Sequence, residues 1–163
     1  MTKYILIAEE GERKLLTDLG LSIEDYEVIV TGVGAFNILC TCRDLDKNAE
    51  VLNVGYAGSS NFEIGSWVEV TESRLNHPNV RYEEPTYKLI KDEGQLAFDD
   101  EQYIRAVCYT NTDFVFASDY RDCVFDMELA FIAGLGFTNL RALKYVSDNL
   151  SLHAYHELTN GVQ

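Results

Sequence analysis

Short apolar runs near residues 4–8, 27–31, 51–55, 113–117 and 140–146 recur along this chain, with segments of helical periodicity between them. Runs of that length without polar alternation read as strands covered on both faces, and helices packed above and below a largely parallel sheet provide that cover. The first, Tyr4-Ile-Leu-Ile-Ala8, leads into a helix-like stretch at 13–19 that stops at Gly20. The second, Glu27-Val-Ile-Val-Thr31, ends in Gly32-Val-Gly34 and feeds a helix at 35–45 with apolar positions at Phe36, Leu39 and Cys40. A third strand is expected at 50–55. At 163 residues the chain has the length of one domain, and residues 1–163 are read as a single α/β unit.

The centre changes period. Ser66-Trp-Val-Glu-Val-Thr-Glu-Ser73 alternates every second residue and is rich in β-branched and aromatic side chains, which predicts a half-buried strand. From 77 to 100 the chain turns polar and carries both prolines, Pro78 and Pro85, so a long loop is expected there, relieved by a strand at 86–90. Beyond it the pattern predicts a helix near 102–107, a strand at 113–117, a helix at 127–133, a strand at 140–146 and a helix at 149–156.

Charge narrows the partners. With 27 acidic against 13 basic residues, the net charge of -14 repels nucleic acid and anionic membranes and suits a small neutral or cationic ligand, although solubility accounts for most of it. The apolar start of the chain passes at once into Glu9-Glu-Gly-Glu12, too short for a secretion signal, and the expected location is the cytoplasm. Cys40, Cys42, Cys108 and Cys123 have no metal-ligand spacing and read as free thiols; no metal and no cofactor is expected.

Several short segments carry candidate chemistry. Gly32-Val-Gly34, at a strand-to-helix junction, is either a turn needing glycine's backbone freedom or a loop whose N–H groups face an anion or a sugar edge. It lacks the third glycine of a dinucleotide fingerprint, and no triphosphate loop is present. Asn53-Val-Gly-Tyr-Ala-Gly58 begins as a buried strand and ends in small residues against which a planar ligand can lie. Asp126-Met-Glu128 opens a helical stretch, where Asp126 reads as a cap. Ser147-Asp148 closes an apolar strand, so Asp148 is either a helix cap or a carboxylate at the strand end where α/β sites gather. Glu9, Glu10 and Glu12 form an acidic first turn.

Taken in order, Thr31-Gly-Val-Gly34, Asn53-Val-Gly-Tyr-Ala-Gly58, Ile64-Gly-Ser-Trp-Val-Glu69, Phe125-Asp-Met-Glu128 and Lys144-Tyr-Val-Ser-Asp148 resemble the nucleoside phosphorylase superfamily, and within it the methylthioadenosine/S-adenosylhomocysteine nucleosidases. The resemblance implies three layers: a central mixed, mostly parallel sheet flanked by helices. It implies cleavage of a purine nucleoside, with Asp148 protonating the purine, Glu12 activating water and Glu128 gripping the ribose. Tyr56, Ala57, Gly58, Phe114, Val115, Met127, Lys144 and Ser147 are the substrate-binding positions it marks. Asn53 stands where the phosphorylases tend to carry a phosphate-binding arginine, so water is expected as nucleophile. Lys144 replaces an arginine and Tyr56 a serine of the nucleosidases, which keeps two alternatives in view: a phosphate-dependent phosphorylase and a nucleoside-binding protein without catalysis. A homodimer is the assembly that the family suggests.

Overall fold

The computed structural model describes residues 2–20, 23–76, 86–89 and 103–159. Its strands are β1 (Lys3–Ile7), β2 (Glu27–Val30), β3 (Glu50–Gly58), β4 (Trp67–Leu75), β5 (Thr86–Lys88), β6 (Ile104–Thr110), β7 (Cys123–Asp126) and β8 (Asn139–Asp148). Its helices are α1 (Arg13–Asp18), entered through a short 3-10 turn at Glu10–Glu12, α2 (Gly34–Cys42), α3 (Leu129–Ala133) and α4 (Leu152–Thr159).

The fold is mixed α/β, and five of the eight strand pairings among the described residues are parallel. β1 lies between β2 and the first half of β3, parallel to both. β8 runs parallel along the whole of β3, from Glu50 opposite Asn139 to Gly58 opposite Asp148. On its other side β8 pairs antiparallel with β4, which pairs with β6, which pairs with β7. β7 then returns to β3 through Gly58 and Phe125. Strands β3, β8, β4, β6 and β7 therefore close into a small ring, and β1 with β2 extends from it.

This closure corrects the expected three-layer arrangement about an open sheet. Strand twist brings the far strands round, and register shifts at Ala57/Gly58 and Val70/Glu72 mark where the ladders bend. Alternate residues still bury opposite faces. Ile5, Ile7, Leu52 and Val54 pack with Leu15 and Leu16 of α1, whereas Tyr4, Leu6 and Val51 pack with Ile38 and Cys42 of α2. A large aliphatic side chain wholly removed from water, such as Ile5 or Ile7, stabilises by about 1.5–3 kcal/mol.

Two local expectations fail. The helix near 102–107 is instead part of β6, where Ala106, Cys108 and Thr110 are buried alternately with half-buried Val107 and Tyr109. The strand at 113–117 is absent: the place beside β6 is taken by β7, and Phe116 of the intervening segment is 65% exposed. The helix expected at 127–133 begins two residues later, at Leu129, because the strand runs on to Asp126. Most of the expected 77–100 loop, and the end of the 86–90 strand, lie outside the described residues. All four cysteines are free, Cys40 exposed and the others buried.

Candidate active site

Parallel strands deliver their C-terminal ends to one edge of a sheet, and here that edge is hollow. Ala8 after β1, Tyr56, Ala57 and Gly58 on β3, Phe125 and Asp126 on β7 with Met127 and Glu128 after it, and Ser147 and Asp148 on β8 line a cavity of about 240 Å³. Glu9, Glu12, Val33, Phe114 and Tyr155 complete its wall.

Glu12 enters from the 3-10 turn after β1. Its Oε1 accepts the amides of Ala8 at 2.8 Å and Glu9 at 3.0 Å, and its Oε2 accepts the amide of Tyr56 at 2.8 Å. Such donors favour the charged form, and so does nearby Lys144, yet burial outweighs them and raises the Glu12 carboxyl above its ordinary value.

Glu128 is 9% exposed, and its Oε2 accepts the amide of Gly34, 3.2 Å away at the start of α2. Burial, joined by the charge of Asp126, pushes its carboxyl up from 4.5 to about 8. Asp126 behaves oppositely. Although burial works against its charge, the Lys144 ammonium 3.0 Å from Oδ2, the Thr110 hydroxyl and the Leu129 amide hold the carboxyl below its usual range. The Lys144 ammonium, 1% exposed, is disfavoured by burial but raised overall by Asp126. The pair thus forms a buried neutral unit beside two carboxyls, Glu12 and Glu128, whose pKa values burial raises.

Asp148 is fully buried at the other end of the β3 rim. The Ser147 hydroxyl donates to its Oδ2 at 2.7 Å and the Leu150 amide to its Oδ1 at 2.8 Å. Burial again dominates and raises its pKa. Aromatic rings close the remaining side: Tyr155 of α4 meets Phe114 at 5.7 Å and Tyr56 at 6.3 Å between centroids, spacings that favour ring-on-ring contact.

The cavity therefore gathers Glu12, Glu128, Asp148, Tyr56, Ala57, Gly58, Phe114, Met127 and Ser147. Val115 faces an adjoining hollow of about 30 Å³ with Asp113 and Leu150. Lys144 does not line the cavity; it lies beneath, paired with Asp126. Asn53 is also off the cavity wall, donating its Nδ2 to the Leu6 carbonyl at 3.0 Å. The sequence reading missed Glu9, Val33, Phe125 and Tyr155 as wall residues. Tyr155 and Val33 had a signal in their nearness to the Ser-Asp and Gly-Val-Gly motifs, whereas Phe125 had none beyond its place next to Asp126.

No protein-family model matches the sequence, and no curated protein matches it. Solved structures do match its fold. The chain is 18% identical to the 5′-methylthioadenosine/S-adenosylhomocysteine nucleosidase of Neisseria meningitidis, solved with methylthio-immucillin-A, with a TM-score of 0.75 over 97% of this chain and 91% of that one. It is 18% identical to the Streptococcus enzyme of the same name (S. pneumoniae), solved with a transition-state inhibitor, with a TM-score of 0.74 over 98% and 92%. A Colwellia psychrerythraea nucleosidase in complex with adenine gives 19% identity and 0.72 over 98% and 88%. The chain has the fold of these nucleosidases.

Proposed function

We propose that this protein hydrolyses the N-glycosidic bond of a purine nucleoside, including adenosines substituted at C5′. The observation that carries the reading is the convergence of Glu12, Glu128 and Asp148 on one cavity beside Phe114. Cleavage passes through a cation-like sugar, so it needs an acid for the leaving base and a positioned nucleophile. Asp148, whose carboxyl pKa is raised by burial, donates a proton to the purine ring as the C1′–N bond breaks. Glu12, fixed by three backbone amides, takes a proton from the water that bonds to C1′. Glu128 has one oxygen on Gly34 and its other oxygen for the ribose hydroxyls. Met127 packs on the sugar and Phe114 on the base.

Water is favoured over phosphate by the wall itself, since no lysine or arginine is among the described residues lining the cavity. A phosphate dianion brought among Glu9, Glu12, Glu128 and Asp148 meets carboxyl groups and no cation among the described wall residues, Lys144 being held by Asp126. The test is incubation with a panel of purine nucleosides, with and without phosphate, and chromatography of the products. Free base and free ribose in both conditions are expected. Turnover that requires phosphate and yields ribose 1-phosphate overturns hydrolysis, and binding without cleavage overturns catalysis.

A further inference from the structure

The cavity has two distinguishable ends. Glu12 holds the Tyr56 amide and Asp148 closes on Gly58, two residues further along β3, a span of about 6–7 Å. On the nucleosidase reading, on which this inference rests, the purine lies at the Asp148 end and the ribose between the carboxylates. A substituent at C5′ then extends toward the other end, where Glu9, Val33, Tyr56 and Tyr155 form the wall.

The one described cation near that end, the Lys14 ammonium 6.0 Å from the Tyr56 ring centre, donates to the Leu158 carbonyl and forms no ion pair with a described residue. Asp126 is balanced by Lys144, and Glu10, the residue next to Glu9, is taken by Arg13. Glu9 is exposed at the cavity wall and makes no ion pair with any described residue. The Tyr155 hydroxyl approaches Glu9 Oε2 at 3.5 Å, the outer limit of a hydrogen bond, so the carboxylate stands between the turn that leads into α1 and α4 at the cavity wall. Independently, Glu128 is 9% exposed and has an oxygen that no described residue binds, so the cavity is built for a polar occupant. We propose that Glu9 is a specificity residue that favours nucleosides bearing a cationic group at C5′, an ammonium or sulfonium, over those bearing a neutral or phosphorylated one.

The test compares 5′-amino-5′-deoxyadenosine, 5′-methylthioadenosine and adenosine 5′-monophosphate at pH 7, with wild type and Glu9→Gln, at low and high salt. Glutamine keeps the backbone amide that binds Glu12 and removes the charge. For an exposed pair, the amino compound is expected to show a KM roughly two- to fivefold below that of the thio compound in wild type, with the monophosphate poorest. Glu9→Gln, or added salt, is expected to bring the ratio of the amino and thio KM values close to one. Equal KM values in wild type, or an equal change for all three compounds in Glu9→Gln, overturn the proposal. If nothing is cleaved, the nucleosidase reading fails, and calorimetric binding of the same compounds judges Glu9 separately: affinity that depends on the cation and is lost in Glu9→Gln upholds its role, and affinity indifferent to charge, or no binding, refutes it.

Discussion

Lys144→Met leaves Asp126 as a lone carboxylate inside the ring of strands. The variant keeps the Thr110 hydroxyl and Leu129 amide on Asp126 but removes the ammonium 3.0 Å from Oδ2, in a place where neither partner meets bulk water. Breaking one side of a buried pair costs about 3–5 kcal/mol, a large part of the 5–15 kcal/mol that holds a domain together. Protonation of Asp126 relieves the cost, by about 1.4 kcal/mol for each unit that its folded pKa rises above the pH. In the wild type that pKa is depressed, so Asp126 contributes stability above its unfolded value of about 3.9, and the contribution is lost as the pH falls through the folded value. Without Lys144 the folded pKa rises above the unfolded one, and stability is lost instead as pH climbs through it. Urea unfolding is therefore expected to show a midpoint lower by about 1–3 M at pH 7, with a clearly smaller drop at pH 4.5. In the double variant with Asp126→Asn, the loss should be less than the sum of the two single losses, because the second change removes the stranded charge. A Lys144→Met protein within about 0.5 kcal/mol of wild type at pH 7, or an equal loss at both pH values, refutes the reasoning.

Asp148→Asn keeps the side chain's size and is expected to fold and bind nucleoside while turnover drops by about 10²–10⁴-fold; an unchanged rate in a steady-state assay removes Asp148 as the proton donor. The folded pKa of Glu128, raised to about 8, makes its contribution to stability full below 4.5 and lost as pH rises through 8, so the thermal midpoint should decline from pH 5 to pH 9. Glu128→Gln should flatten that decline, and an identical slope in the variant assigns it to other groups. Gly55→Ala puts a Cβ 2.6 Å from Glu12 Oε2, so kcat should fall by more than the urea midpoint predicts; full activity would mean that Glu12 can move without consequence.

Strands were legible where burial on both faces made the signal redundant. β1 and β3 are nearly continuous apolar runs, β2 is a short one after Glu27, β8 is apolar between Arg141 and Lys144, and β4 shows itself by alternation. β6 was lost because its most buried residues, Ala106, Cys108 and Thr110, are small and only weakly hydrophobic, while Ile104 and Val107 sit at helical spacing. Phe114-Val-Phe116 imitates a strand, yet Phe114 serves as cavity wall and Phe116 is exposed. Ring closure could not be read at all, since it depends on β4 meeting β8 and on one β3–β7 bridge between residues remote in sequence. The roles proposed for Glu12, Glu128 and Asp148 came from motif resemblance; the Lys144–Asp126 pair did not, because β7 and β8 share no ladder among the described residues and nothing in the local sequence ties one to the other. Asp126 was read as a cap, and it does accept the Leu129 amide, but that reading concealed its second partner.

The glycines of the motifs take their meaning from the carboxylates. A Cβ on Gly58 would lie 2.9 Å from Asp148 Oδ1, just as one on Gly55 would crowd Glu12, so these two positions need glycine for room. Gly32 and Gly34 differ, since both have φ of +86°, a region that side chains of L-residues rarely adopt. The two readings of Gly32-Val-Gly34 are therefore compatible: the turn requires glycine, and the N–H it presents does meet a carboxyl oxygen, the protein's own Glu128. Each of the three carboxyl groups thus rests against a glycine, Glu12 at Gly55 within β3, Asp148 at Gly58 at the end of the same strand and Glu128 at Gly34 at the start of α2. Approach that close lets backbone hold a carboxyl group where water is scarce, which is the condition under which its pKa rises. Motif and acidity are in this sense one feature, because the glycines that make the segments recognisable are also what bring the carboxyl groups into the dry interior of the site.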